Sequence, residues 1–307
     1  MSNAEQLEWE ARLARPAAAA AFVAALLFLI ALVVRQSIFE DRPGIRSGPD
    51  ALLSINETPG TLIASASLQA VAGLLLAVVF LYLFRATAHR NPSMPQWFVY
   101  LIVGGPILYA IAQLVGAFDQ IDLAEKFAGQ DFSFKDADPN DSPNLRECPA
   151  VRGALGEACS EELARDNPSS VGLFVGLLGP VMLAFLFVMM PLRARRVGLL
   201  SPFMSILGIL AGILLVLPVL PPVILQAFWL GAVGALFLGK WPGGRGPAWA
   251  TGEAQPWPRA AQRRGAAAPD AGEPAGEADV EPDGTVDPEP VPERPSSRKR
   301  KRKRRSP

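Results

Sequence analysis

Histidine is nearly missing from this chain: His89 is the only one in 307 residues. That scarcity removes paired-histidine haem ligation, the HExxH zinc site and most nucleophiles that depend on an imidazole base. No Walker phosphate loop is present, and no GxGxxG turn follows a strand pattern. Ionisable side chains are absent from the long apolar runs, where proton relays, voltage sensors and ion-coupling sites need them. These absences argue against an enzyme, against a bound cofactor or metal, and against a proton-driven pump.

Apolar side chains, by contrast, make up 50% of the residues, while 29 basic and 29 acidic groups cancel. The cancellation hides a segregation. Between Ala17 and Gly239 the charges fall almost entirely in connecting segments, and from Lys240 onward the chain is rich in Pro, Gly, Ala and charge. A membrane body followed by a polar tail is the natural division.

A helix rises about 1.5 Å per residue, so crossing a hydrocarbon core of about 30 Å takes about 20 apolar residues. Runs of that kind occupy 17–34, 62–84, 97–118 and 171–190, and a longer one covers 199–239. Pro218, Pro221 and Pro222 interrupt the long run near its middle. Proline removes a backbone donor and biases the preceding residue away from helix, so a tight reversal there divides the run into 199–217 and 223–239. The expected fold is all-α: a six-helix transmembrane bundle over 17–240, behind a cytoplasmic segment at 1–16 and ahead of a disordered cytoplasmic tail at 241–307. Arg12 and Arg15 ahead of the first run resemble the start of a secretory signal. No small-residue cleavage site follows Val34, so the run reads as an uncleaved span.

Positive side chains resist translocation and so report orientation. With the N-terminus inside, Arg85 and Arg90 in the second loop and Arg193, Arg195 and Arg196 in the fourth are cytoplasmic. Both termini are then cytoplasmic in a multi-pass protein of the cell membrane. The loop at 119–170 holds five basic and twelve acidic residues, a net of 5 − 12 = −7, and lies outside. Trp97, Tyr100 and Trp241 suit the headgroup region.

Within the spans the notable polar groups are Gln69, Gln113 and Gln226. They either form one hydrogen-bonded cluster or bond separate partners, since an unpaired amide in hydrocarbon is costly. Gly208 and Gly212, then Gly231, Ala235 and Gly239, recur at four-residue spacing. Such stripes allow close helix approach, within one chain or across a homo-oligomer. Gly-Pro steps at Gly105-Pro106 and Gly179-Pro180 are either kinks or the broken helices of a transport path.

Cys148 and Cys159 are the only cysteines, and both fall in the exterior loop. In an oxidising exterior they are expected to close a small ring, contributing up to about 3 kcal/mol by the chain-entropy estimate. Asp136, Asp138, Asn140 and Glu147 fall at calcium-loop spacing, but Asp141 replaces the glycine that such a loop turns on, so a proline-rich acidic turn is the better reading.

The tail lacks apolar periodicity. After a stretch with nine acidic residues between Asp270 and Glu293, it ends in the unbroken basic run Arg298, Lys299, Arg300, Lys301, Arg302, Lys303, Arg304 and Arg305. Near a membrane each such residue is attracted to anionic headgroups by about 1 kcal/mol. The expected partners are the bilayer itself and, through this run, anionic lipids or an acidic protein. Nucleic acid is not an expected partner.

The segment WEARLARPA from Trp9 to Ala17, the segment RATAHR from Arg85 to Arg90 and the basic tail together resemble uncharacterised multi-pass proteins of GC-rich bacteria. The resemblance implies no activity and no site residues. The preferred expectation is therefore a membrane scaffold or interaction protein. The alternative is a passive transporter or channel for a small neutral or lipid-like solute, which requires a polar cavity shared by Gln69, Gln113 and Gln226.

Overall fold

The computed structural model describes residues 2–39, 48–129, 154–166, 170–217 and 222–257. Among the described residues every regular element is helical and no strand occurs. The first helix, α1 (Asn3–Ser37), starts well before its apolar run because Ser2 and Glu5 form a reciprocal capping box that satisfies two terminal donors. A short helix α2 (Pro49–Glu57) precedes α3 (Pro59–Arg90) and α4 (Phe98–Ala128). Next come α5 (Ala154–Asp166), α6 (Ser170–Arg196), α7 (Pro202–Val216), α8 (Pro222–Phe237) and α9 (Pro247–Thr251). Proline opens α2, α3, α7 and α9 at the first turn, where its missing N–H costs nothing.

Four of these helices, α1, α3, α4 and α6, are long and apolar enough to cross a membrane. The two helices from the divided run are shorter, with 15 residues in α7 and 16 in α8. At about 1.5 Å per residue they reach about 22 and 24 Å, short of a core of about 30 Å. The expected reversal between them, at 218–221, lies outside the described residues. Two connecting segments also hold helices that their polar composition concealed: α2 in the first and α5 in the third.

The order of packing closes on itself. α1 packs against α3, α3 against α4, α4 against α6, α6 against α7, α7 against α8, and α8 returns to α1. Inside this ring three aromatic side chains from three helices meet. The ring of Phe80 lies 5.2 Å from that of Phe187 and 5.9 Å from that of Trp229, and Phe187 and Trp229 are 5.1 Å apart. All three are fully buried, and the edge-to-face geometry of the Phe187 pairs suits the quadrupoles of the rings. A second apolar cluster gathers Ile38, Ile55, Leu62, Phe127 and Leu163 where α2 and α5 meet the ends of the long helices.

The outer faces are apolar as well. Val33 is 68% exposed, Phe174 74% and Leu177 65%. Exposed large apolar side chains recur along α1, α3, α4 and α6, and apolar surface of that extent marks a face covered by lipid or by another protein. Trp97 and Tyr100, at the start of α4, are also exposed.

Glycines set how closely the helices approach. A side chain at Gly179 would meet the Leu108 carbonyl oxygen at 2.8 Å, so α4 and α6 touch through backbone there. Pro106 and Pro180 sit inside continuous helices. Gly208 lies against Pro191 and the Trp229 ring, and Gly212 against the Ala184 carbonyl, so that stripe serves packing on α6 and α8 within the chain. Gly231 faces open space.

Candidate functional site

The densest polar chemistry lies at one end of the bundle, just beyond the apolar runs of α1 and α3. Glu10 is on α1 seven residues before Ala17, and Arg90 closes α3 six residues after Phe84. Because the two helices run antiparallel, these positions coincide. The Arg90 guanidinium donates to both Glu10 carboxylate oxygens, at 2.5 and 2.9 Å. Its remaining donors go to the Ala86 carbonyl at 2.8 Å and twice to the Ala248 carbonyl, at 3.2 and 2.8 Å. All five guanidinium N–H groups are thus used, as a buried arginine requires. Glu10 also accepts from the Gln6 amide at 2.8 Å, and its backbone carbonyl accepts from the Tyr82 hydroxyl at 3.0 Å.

Ala248 belongs to α9, in a segment that the sequence reading assigns to the tail. The folded unit continues through this segment, with described residues as far as Trp257. Five residues, PAWAT, are too few to show a helical period, so Trp249 is the side chain that ties the segment down. Its indole N–H donates to the Leu199 carbonyl at 2.9 Å, and its ring stacks on Tyr82 at 5.9 Å. Arg90 and Arg245 also lie over this ring, at 5.7 and 5.8 Å, in cation–π contact. Arg245 donates to the Leu236 and Phe237 carbonyls at the end of α8. The Gln255 backbone N–H donates to the Val197 carbonyl, and the Asn3 side-chain amide to Glu253. The segment is therefore a strap that links the ends of α1, α3 and α8 and the turn between α6 and α7.

The strap needs glycine where it crosses that turn. Gly198 has φ +80°, and a Cβ there would fall on the Gln255 carbonyl. Gly246 is pressed between the Gly198 carbonyl and the Trp257 ring.

The glutamines do not come together as one bonded cluster. Gln69 and Gln113 are half-buried on α3 and α4, whereas Gln226 is 1% exposed on α8, a helix that packs against α1 and α7. Among the described residues the Gln226 Nε2 has no hydrogen-bond partner. A cavity of about 370 Å³ between α3 and α4 is lined by Ser67 and apolar residues including Leu74, Ile107 and Leu114. Another of about 320 Å³ lies among α2, α4 and α5, beside Gln120, Glu157 and Glu161. Neither takes a lining residue from the three glutamines.

Cys159 is fully buried on α5 in the second apolar cluster, and no described cysteine is free. Cys148, the acidic turn at 136–147 and the basic run from Arg298 to Arg305 lie outside the described residues. Among the described residues no group of three His, Cys, Asp or Glu could hold a metal ion.

Sequence reasoning missed Glu10, Arg90 and Trp249. A signal for the first two exists: Glu10 sits in the segment WEARLARPA and Arg90 ends RATAHR, at nearly equal distances from the ends of consecutive antiparallel runs. No family model, no curated protein and no solved structure matches the chain.

Proposed function

We propose that the chain is a multi-pass membrane scaffold: a closed helical body that holds the basic run Arg298–Arg305 at the cytoplasmic surface, where the run binds anionic lipid or an acidic protein. The observation that carries this reading is the bundle interior, where Phe80, Phe187 and Trp229 fill the space inside the ring of helices. A passive transporter needs a wet path along that axis. A scaffold needs a rigid centre, and buried aromatic contacts supply one. The strap adds to this, because it fastens Arg245, Ala248, Trp249 and Gln255 across one end of the body.

In this reading the body spans the membrane six times, with α7 and α8 as a hairpin, and both termini are cytoplasmic. Arg85, Arg90, Arg193, Arg195 and Arg196 then share one side, as the distribution of positive charge favours. The disulfide between Cys148 and Cys159 staples the exterior loop.

The test is crosslinked affinity purification from native membranes, comparing the full chain with one ending at Trp257 so that the strap stays intact. A protein or anionic lipid captured by the full chain and lost with the tail supports the scaffold reading. A small solute retained by both forms, with no partner lost, would replace it with transport.

A further inference from the structure

A groove of about 330 Å³ runs between α1 and α3 immediately beyond the Glu10–Arg90 pair. Trp9, Leu13 and Pro16 form one wall, and Val78, Leu81 and Arg85 the other. Its floor is apolar and its long axis follows the helices. Val78 is 43% exposed and continues the exposed line of Val71 and Leu74 on α3, so the groove opens on the surface that the membrane reading gives to lipid.

The mouth is different in character. Arg85 is exposed, and its guanidinium rests over the Trp9 ring at 5.6 Å. Trp9 is itself held by stacking on Tyr82 at 5.6 Å. Arg85 has no carboxylate partner among the described residues. Arg12 is exposed one turn before Pro16, on the flank of the same opening. Of the acids on the first turns of α1, Glu5 accepts the Ser2 backbone N–H at 2.7 Å, and Glu8 is exposed one turn before Arg12. The acid at the neighbouring turn, Glu10, is fully engaged by Arg90. Arg85 thus stands, without an ion pair among the described residues, at the head of an apolar groove.

We propose that this groove is a binding site for one anionic phospholipid, with its phosphate on Arg85 and part of an acyl chain between α1 and α3. The chemistry is complementary at both ends. A guanidinium stacked on an indole keeps its in-plane N–H groups free to meet phosphate oxygens. The groove runs about 10 to 12 Å along the helices, and its inner part, from Leu13 to Ala17 on α1 and from Val78 to Leu81 on α3, offers the chain an apolar wall for about 5 to 6 Å, which the exposed Leu74 and Val71 extend along α3. The Trp9 ring lies at the transition, where amphipathic rings settle. The site rests on the membrane reading above but is independent of the basic tail.

The full chain, reconstituted with phosphatidylglycerol and phosphatidylcholine in equal amounts, is released into mild detergent and weighed intact by native mass spectrometry. Wild type is expected to retain one phosphatidylglycerol in preference to phosphatidylcholine. Arg85→Gln should lower that preference about fivefold, the factor for one basic side chain at an anionic surface. Leu81→Trp, which leaves the cation and fills the groove, should lower total lipid retention. Neutralising Arg298–Arg305 should leave the retained lipid in place. Equal retention of both lipids by wild type, or unchanged preference in Arg85→Gln, overturns the site. Loss of the lipid only on neutralising the tail overturns it too while sparing the scaffold reading. Release of the chain from native membranes by carbonate without detergent removes the membrane reading itself.

Discussion

Glu10 and Arg90 lie 80 residues apart in sequence and meet through two charge-assisted bonds of 2.5 and 2.9 Å at the buried junction of α1 and α3. Removing one partner of such a pair leaves an uncompensated charge and costs about 3–5 kcal/mol. Arg90→Met should cost at the upper end of that range, because the Ala86 and Ala248 carbonyls lose their donors as well. The double variant Glu10→Leu with Arg90→Met should be more stable than the two single costs predict, by about 1–3 kcal/mol. Thermal unfolding in detergent reads all three. Single variants within about 0.5 kcal/mol of wild type would show that the pair contributes nothing.

The strap makes a prediction about where the chain can be cut. A chain ending at Trp241 removes Ala248, Trp249 and Gln255 and exposes Arg90, whereas one ending at Trp257 keeps every contact described for the strap. The first should melt well below full length and the second should match it. Gly198→Ala should reproduce the first, because the substituted residue meets both a positive φ and the Gln255 carbonyl. Equal melting of the two truncations would mean that the strap is not part of the stable body.

The body was legible in the sequence to the extent that it is apolar. Runs of about 20 residues announced α1, α3, α4 and α6 because lipid demands length and hydrophobicity and little else. What followed from tertiary contact did not show. The first turns of α1 are polar and exposed on one face, so nothing in their composition distinguished them from a loop, although Ser2 and Glu5 spelled a capping box. The strap has no period to read, and Trp249 falls in a segment whose Pro, Gly and Ala content reads as tail. Hydropathy placed Gln69, Gln113 and Gln226 on their helices, α3, α4 and α8, but left open whether they share a site, because ring order and not hydropathy decides which helices adjoin.

Gly179 and Gly231 share a residue type and differ in role. A Cβ at Gly179 would lie 2.8 Å from the Leu108 carbonyl oxygen and 2.9 Å from the Tyr109 Cα, both backbone atoms that cannot swing away. Gly179→Leu should therefore separate α4 from α6 and cost at least the 1–3 kcal/mol typical of overpacking. At Gly231 there is open space, and Gly231→Leu should leave monomer stability within about 0.5 kcal/mol. A shift in hydrodynamic size on Gly231→Leu alone would identify that face as a contact between copies.

Gln226 carries a buried Nε2 without a partner among the described residues. An unsatisfied buried donor costs about 1–3 kcal/mol, so Gln226→Leu, which keeps much of the volume, should be neutral or stabilising. Measured beside it, solute flux into vesicles separates the two functional readings. A stabilised variant with unchanged flux fits a scaffold. A variant that abolishes a measurable flux shows that the amide belongs to a transport path.

The short lengths of α7 and α8 turn the span count into an accessibility experiment. Both helices fall several ångströms short of a core of about 30 Å, yet the chain between them carries no charge to hold it at a surface. A hairpin that crosses fully brings position 219 to the exterior; one that dips in and returns leaves it within the bilayer. Cys148 and Cys159 are the only native cysteines and do not react with a thiol reagent if they are joined to each other, so a single new cysteine at Val219 gives a clean signal. The six-span reading expects Val219→Cys to be labelled by a membrane-impermeant reagent applied outside intact cells, with the native pair unlabelled until reductant is added. Labelling of the native pair without reductant means that the disulfide is absent. Failure to label Val219→Cys from outside, with labelling after detergent, leaves four spans and a re-entrant hairpin.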